Sequence, residues 1–262
     1  MKLKKYILMG IFILGLLSSF YMGRFYEAYK LRALEVGNSN IHNKEAKKEE
    51  KKEDENLSYE EEAFREKILR NKDNLFKLVN KENKISKAYK SENLVVPKAN
   101  FVGSKEEDRS KVSSLIKEDL ERLFKDAKKE GLDLYISCGY RSYEEQEYLY
   151  NRALEREDST KSTLVAIPGA SEHQLGLAVD FTTRSIGFQL ENSFEDTREG
   201  QWLLDNAHKY GFVLRYIKGK EHITGYEYEP WHYRYIGDLE LSKYFYENNL
   251  TLEEVYEKLD IE

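Results

Sequence analysis

The chain has 262 residues but one cysteine and three prolines. A lone thiol, Cys138, closes no intramolecular disulfide, so a cystine scaffold is excluded. The compartment stays open, because many exported domains carry no cystine. An excess of basic residues is also missing. Against 42 Lys and Arg stand 48 Asp and Glu, and the net charge of −6 gives no reason to expect nucleic acid as a partner. No internal repeat is visible. Aromatic residues are plentiful: 20 Tyr and 12 Phe predict a core built on ring packing. With 34% charged and 40% hydrophobic residues, a core fits only if part of the chain is very polar.

That uneven distribution begins at the amino terminus. Lys2, Lys4 and Lys5 precede an apolar run from Tyr6 to Met22. At the helical rise, its length spans roughly 26 Å, slightly less than the ~30 Å hydrocarbon layer, and flanking Lys and Tyr make up the rest. No small-x-small cleavage site follows, so an uncleaved signal anchor is expected over a cleaved signal peptide, with the remainder extracytoplasmic. Residues 36–57 carry like charges at i,i+4, among them Lys44/Lys48, Glu45/Glu49 and Lys48/Lys52, which argues against a stable helix. They read as a tether with an end-to-end distance of roughly 25 Å. The expected layout is an anchor at 1–35, a tether and juxtadomain helix at 36–72, and a globular domain at 73–262.

Within that domain the periodicities mix. Residues 93–97 predict a short strand ended by Pro97. From Lys111, apolar residues including Val112, Leu115, Leu120, Leu123 and Ala127 share a helical face that Gly131 stops. A strand follows at 132–137. Ser142, with Glu145 three residues on, starts a helix as a capping box. Leu177, Val179 and Phe181 alternate with Ala178 and Asp180, the pattern of a half-buried strand. A helix near 198–211, strands at 212–216 and 229–237 and a helical end complete an α+β pattern, a small antiparallel sheet flanked by helices.

Of five histidines, His42 lies in the tether, His208 on a helix and His222 in a polar, hairpin-like loop. His173 and His232 remain. A carboxylate on a buried strand, such as Asp180, needs water or a partner. His173, Asp180 and His232 supply three protein ligands of the kind a catalytic zinc takes with one open position. Pro230 keeps Glu229 and His232 off a common helix face and places them at a strand entrance, where Glu229 suits a proton acceptor. Spacing alone favours the competing reading, a core or surface histidine near a solvated acid. Arg141 and Gln146 flank the Ser142 cap at positions whose side chains approach each other, a pairing suited to a carboxylate. The alternative is a surface Arg141 paired with Glu144 or Glu145.

Three stretches in order, SCGYRSYEEQEYLY, PGASEHQLGLAVDF and GFVLRYIKGKEHITGYEYEPWHYRYIG, resemble the VanY-type D-alanyl-D-alanine carboxypeptidases, zinc peptidases that share a fold with lysostaphin and the hedgehog amino-terminal domain. The resemblance covers roughly residues 73–250. It implies one zinc ion held by His173, Asp180 and His232, Glu229 as the catalytic base, and a substrate site lined by Arg141, Gln146 and Ser171. It implies release of the terminal D-Ala from peptidoglycan stem peptides. L,D-carboxypeptidase, cross-bridge endopeptidase and non-catalytic wall-binding activities are the alternatives. The expected partners are the stem peptide and, through the amino-terminal helix, the membrane. Cys138 departs from the small-residue run usual before Gly139, and reads as a small buried side chain after a strand. Ile217 and His222 stand where a proline and an acid are often seen.

Overall fold

Strand β4 (Ala178–Thr183) has all six residues buried, and the sheet forms around it. In the computed structural model, which describes residues 57–72, 74–155 and 165–261, β4 pairs antiparallel with β3 (Leu134–Cys138) on one side and β6 (His232–Tyr235) on the other. β6 in turn pairs with β5 (Phe212–Leu214), giving the order β3-β4-β6-β5. The α+β expectation holds for these residues. The apolar run, most of the tether and His42 lie outside them. No helix among the described residues is long and apolar enough to cross a membrane.

The alternation read along β4 divides the sheet as expected. Phe181 is fully buried and meets Phe124, Phe212 and Tyr233 at ring-centroid distances of 6.0, 6.4 and 5.6 Å. Helix α2 (Lys117–Lys129) covers that face with Leu120, Leu123, Phe124 and Ala127. Burying side chains of this size contributes roughly 1.5–3 kcal/mol each. The opposite face carries Asp180, and its register partners are Cys138 on β3 and His232 on β6. Three donor-bearing side chains therefore stand in a row across three strands, since cross-strand neighbours share a face.

Two local expectations change. The helical face read from Val112 begins later: Val112–Ser113 form a strand, β2, paired with β1 (Leu94–Val95), and Leu115 is left half exposed. Backbone pairing overrides the helical spacing there. The helix expected between tether and domain, α1 (Tyr59–Asn71), packs with the domain. The compact unit runs Ser58–Glu262, because Phe64 and Ile68 are buried and Arg65 donates to the carbonyls of Leu259 and Asp260. His222 sits on a one-turn helix, Glu221–Thr224, and is exposed.

Helix α3 (Tyr143–Glu155) starts where its cap predicts, with Glu145 N–H donating to Ser142 Oγ at 3.1 Å. Helix α4 (Arg198–Asn206) packs on β4, α5 is the one-turn helix Glu221–Thr224, α6 (Leu239–Asn248) packs on β5, and α7 (Leu252–Lys258) starts with a Thr251–Glu254 capping box.

Candidate active site

A tight 3₁₀ turn, Glu172–Leu175, delivers His173 to the sheet face that holds Asp180. Gly176 ends the turn at φ +70°, a left-handed conformation that glycine adopts without strain, and β4 starts two residues later. His173 Nε2 then lies 3.0 Å from Asp180 Oδ2. Its other nitrogen, Nδ1, is 2.6 Å from the Gly139 carbonyl. A carbonyl only accepts, so Nδ1 carries a proton, and Nε2 is the nitrogen that faces the carboxylate. A side chain at position 139 would run into the Lys111 carbonyl, 2.3 Å from an added Cβ, so this backbone approach needs glycine.

The second histidine arrives through the Glu229–His232 turn, closed by His232 N–H donating to the Glu229 carbonyl at 3.1 Å. His232 Nδ1 lies 2.8 Å from Asp180 Oδ1 and 3.9 Å from Glu229 Oε2. Its Nε2 points away from the cleft, 3.4 Å from Glu172 Oε2. The two imidazoles stand nearly perpendicular with centroids 4.9 Å apart. Asp180 thus spans both rings, one oxygen to each.

Burial sets the protonation of these groups, and neighbours then correct it. Burial opposes a charge on Asp180, but His173 and His232 hold its carboxyl well below the usual range. Burial likewise opposes a charge on His173, yet Asp180 and Cys138 raise it to about 10. Glu229 behaves differently. Burial, with Asp180 nearby, pushes it up to about 7 despite the opposing pull of His232. That places Glu229 where a base can both accept and return a proton near neutral pH.

The donor set fits a zinc ion. His173 Nε2 and His232 Nδ1 each face one oxygen of Asp180, with the other ring nitrogen turned to an outer acceptor, donor types and outer partners of the kind zinc ligands have. The buried carboxylate asks for positive charge, which a dication supplies. The donor atoms that lie within 4.8 Å of one another belong to Cys138, His173 and Asp180, so among the described residues the tightest metal-capable group includes the cysteine and leaves out His232. The reading of Cys138 as a small buried residue at a strand end is right for its position but incomplete.

The remaining candidates gather along the same cleft, about 330 Å³, with Tyr216, Tyr226 and Trp231 among its walls. Arg141 Nη1 donates to Gln146 Oε1 at 3.0 Å, and Arg141 Nη2 lies 3.3 Å from Cys138 Sγ and 3.9 Å from Asp180 Oδ2. The surface pairing of Arg141 with Glu144 or Glu145 does not form. Gln146 is buried and donates to the Ala166 carbonyl at 2.6 Å. Ser171 is buried and lines the cleft. All seven residues singled out in the sequence therefore share one cleft.

Glu172 was not among them. It is fully buried, and burial alone would keep it neutral, but Arg215 and Arg234 hold its carboxyl far below the usual range. A glutamate beside a candidate ligand on a turn looks solvent-facing in sequence. Only the two arginines, 43 and 62 residues away, reveal its burial.

Comparison with known proteins matches the part of the chain that holds this cleft. Residues 109–238 match the family model for VanY, D-alanyl-D-alanine carboxypeptidase. The chain is 42% identical over 192 residues to the putative carboxypeptidase YodJ of Bacillus subtilis, covering 73% of this chain and 70% of that one. It is 39% identical over 149 residues to a D-alanyl-D-alanine carboxypeptidase of Enterococcus faecium, covering 56% of this chain but 45% of the relative. Among solved structures, the LdcB LD-carboxypeptidase aligns with a TM-score of 0.65 and 43% identity over 69% of this chain and 85% of its own. The vancomycin-resistance D,D-pentapeptidase VanY from a VanB-type cassette, solved with Zn(II), aligns with a TM-score of 0.56 and 32% identity over 69% of this chain and 97% of its own. With its two histidines, its aspartate and its cleft in the matched region, the chain is an enzyme of the VanY family of D-alanyl-D-alanine carboxypeptidases.

Proposed function

We propose that this protein is a zinc D,D-carboxypeptidase that removes the terminal D-Ala from peptidoglycan stem peptides. The observation that carries this reading is the shared cleft: two inward-facing imidazole nitrogens and Asp180 at one end, Glu229 beside them, and the Arg141–Gln146 pair on the adjoining wall. His173, Asp180 and His232 would hold the zinc. When bound, zinc polarises the scissile carbonyl and makes water a better nucleophile. Glu229 takes a proton from that water at a carboxylate oxygen and returns it to the leaving amine.

Arg141 reads the free C-terminal carboxylate of the peptide, because its fixed fork matches a carboxylate in two parallel hydrogen bonds. Gln146 holds that guanidinium through Oε1, and its own amide is fixed by the Ala166 carbonyl. Ser171 offers a hydroxyl to the peptide backbone from the same cleft. A charged group that recognises a chain end favours a carboxypeptidase over an endopeptidase.

A second reading has a specific basis. The LdcB LD-carboxypeptidase shares 43% identity with this chain, against 32% for the VanY structure. That favours an L,D-carboxypeptidase on tetrapeptide stems as the alternative. Incubation of the full-length chain and zinc with tri-, tetra- and pentapeptide stems, read by mass spectrometry, separates the two. Loss of one residue from the pentapeptide alone supports the D,D activity. Loss from the tetrapeptide alone supports L,D, and mid-chain cleavage with no terminal loss refutes both.

The amino-terminal sequence supports an extracytoplasmic setting. Lys2, Lys4 and Lys5 before an apolar run favour retention of the lysines inside and presentation of the catalytic domain outside the membrane. The charged tether that follows lets the domain reach wall peptides near its anchor.

A further inference from the structure

Beneath the cleft lies an ion network that catalysis as described above does not use. Glu172 is fully buried, and so are Arg215 and Arg234. Arg215 Nε donates to Glu172 Oε1 at 2.7 Å, and Arg234 Nη1 donates to the same oxygen at 2.8 Å. Both guanidinium groups therefore take Oε1. The second oxygen, Oε2, is left to face His232 Nε2 at 3.4 Å. Each arginine is itself fixed. Arg234 spends its other donors on the carbonyls of Leu75, Lys77 and Tyr235. Arg215 turns its fork to Glu253 on α7, with Nη1 to Oε2 at 2.7 Å and Nη2 to Oε1 at 2.6 Å. Asn80 donates to Glu253 Oε1 at 3.1 Å.

A buried ion network is poor evidence for stability, since well-packed apolar residues would serve as well. A positioning role explains its shape better. A metal-ligating histidine needs its second nitrogen held by an acceptor, which fixes the tautomer and the ring orientation. Gly139 does this for His173 through a rigid backbone carbonyl. For His232 the acceptor is a side chain, and a side chain must be held in turn. We propose that Glu172 is the positioning residue of His232 and that Arg215 and Glu253 lock it in place, so that the C-terminal helix α7 supports the metal centre. This rests on the reading of His173, Asp180 and His232 as zinc ligands.

The test is zinc affinity, measured by chelator competition on the full-length wild type, Glu172→Gln and Glu253→Gln, with folding checked by circular dichroism. Outer partners of ligating histidines typically govern 10–100-fold in metal affinity, and Glu172→Gln is expected to lose affinity in that range. Glu253→Gln keeps Glu172 paired to both arginines and is expected to lose roughly 3- to 10-fold, a smaller share of the same effect. In ¹⁵N spectra of the zinc-loaded protein, the His232 Nε2–H signal is expected to shift in both variants while that of the His173 ring stays put. Unchanged zinc affinity in folded Glu172→Gln overturns the proposal. Should Glu172→Gln fail to fold, wild-type affinity and an unmoved His232 signal in Glu253→Gln overturn it. A wild type that binds no zinc refutes the metal-site reading itself, a result distinct from equal binding by wild type and variants.

Discussion

Asp180 reaches both histidines at once, with Oδ2 3.0 Å from His173 Nε2 and Oδ1 2.8 Å from His232 Nδ1. No other carboxylate among the described residues touches both rings. The relationship follows from strand register, since Asp180 sits directly opposite His232 in the ladder. Asp180→Asn keeps the shape but removes the charge that the dication needs. Zinc content is expected to fall from one per chain to well below that in equimolar metal, with the fold retained. Full zinc occupancy in this variant would remove Asp180 from the ligand set.

Glu229→Gln separates metal binding from proton transfer. The amide cannot accept the proton, and general-base contributions typically amount to 10²–10⁴-fold. The variant is expected to bind zinc as the wild type does and to lose peptide hydrolysis by about that factor. Full activity would assign the base elsewhere.

The raised pKa of Glu229 also predicts a pH dependence of stability. Its folded value of about 7 lies above the unfolded value of 4.5, so the folded protein binds the extra proton between those limits. Stability from this group is present below pH 4.5 and is lost as pH rises towards 7. Converted at 1.36 kcal/mol per unit, the loss has an upper bound of about 3 kcal/mol. With a chelator present, Glu229→Gln is expected to raise the melting temperature at pH 8 and to leave it nearly unchanged at pH 4.5. Equal effects at both values would show that burial does not disfavour the carboxylate.

Arg141→Ala is expected to cost about 100-fold or more in kcat/KM on peptides with a free C-terminal carboxylate, as loss of a charge-assisted pair does. The same change is expected to leave the slow cleavage of C-terminally amidated peptides unaltered. Arg141→Lys is expected to recover little, because a point charge replaces a fork. Equal losses on both substrates would mean that Arg141 shapes the cleft without reading the chain end.

Phe181→Ala tests the other face of the same strand. Phe181 is fully buried among Phe124, Phe212 and Tyr233, and its removal is expected to cost about 3–5 kcal/mol. Denaturant unfolding reads this directly. A cost below 1 kcal/mol would mean that β4 is not anchored by this cluster.

The site was more legible in the sequence than the fold edges were. Alternation along β4 placed Asp180 opposite the apolar core face, and Pro230 kept Glu229 and His232 off a helix, because both signals are local and period-bound. Cap geometry brought Arg141 and Gln146 within reach of each other but left a surface pairing of Arg141 with Glu144 or Glu145 open. The strand at Val112–Ser113 was hidden, since two residues are too few to show a period and their partner, Leu94–Val95, is distant in sequence. Helix α1 was placed outside the domain because only Phe64 and Ile68 of its thirteen residues are buried. Glu172, Arg215 and Arg234 were invisible for a different reason. Charged residues read as solvated until a partner far along the chain is seen to neutralise them.

Zinc dependence tests the central claim most directly. One zinc per chain and D-Ala release from stem peptide are expected to disappear together when a strong chelator strips the protein, and to return together in proportion to zinc added back. Undiminished release of D-Ala from protein shown to hold no metal would contradict the assignment of His173, Asp180 and His232 as a catalytic zinc centre.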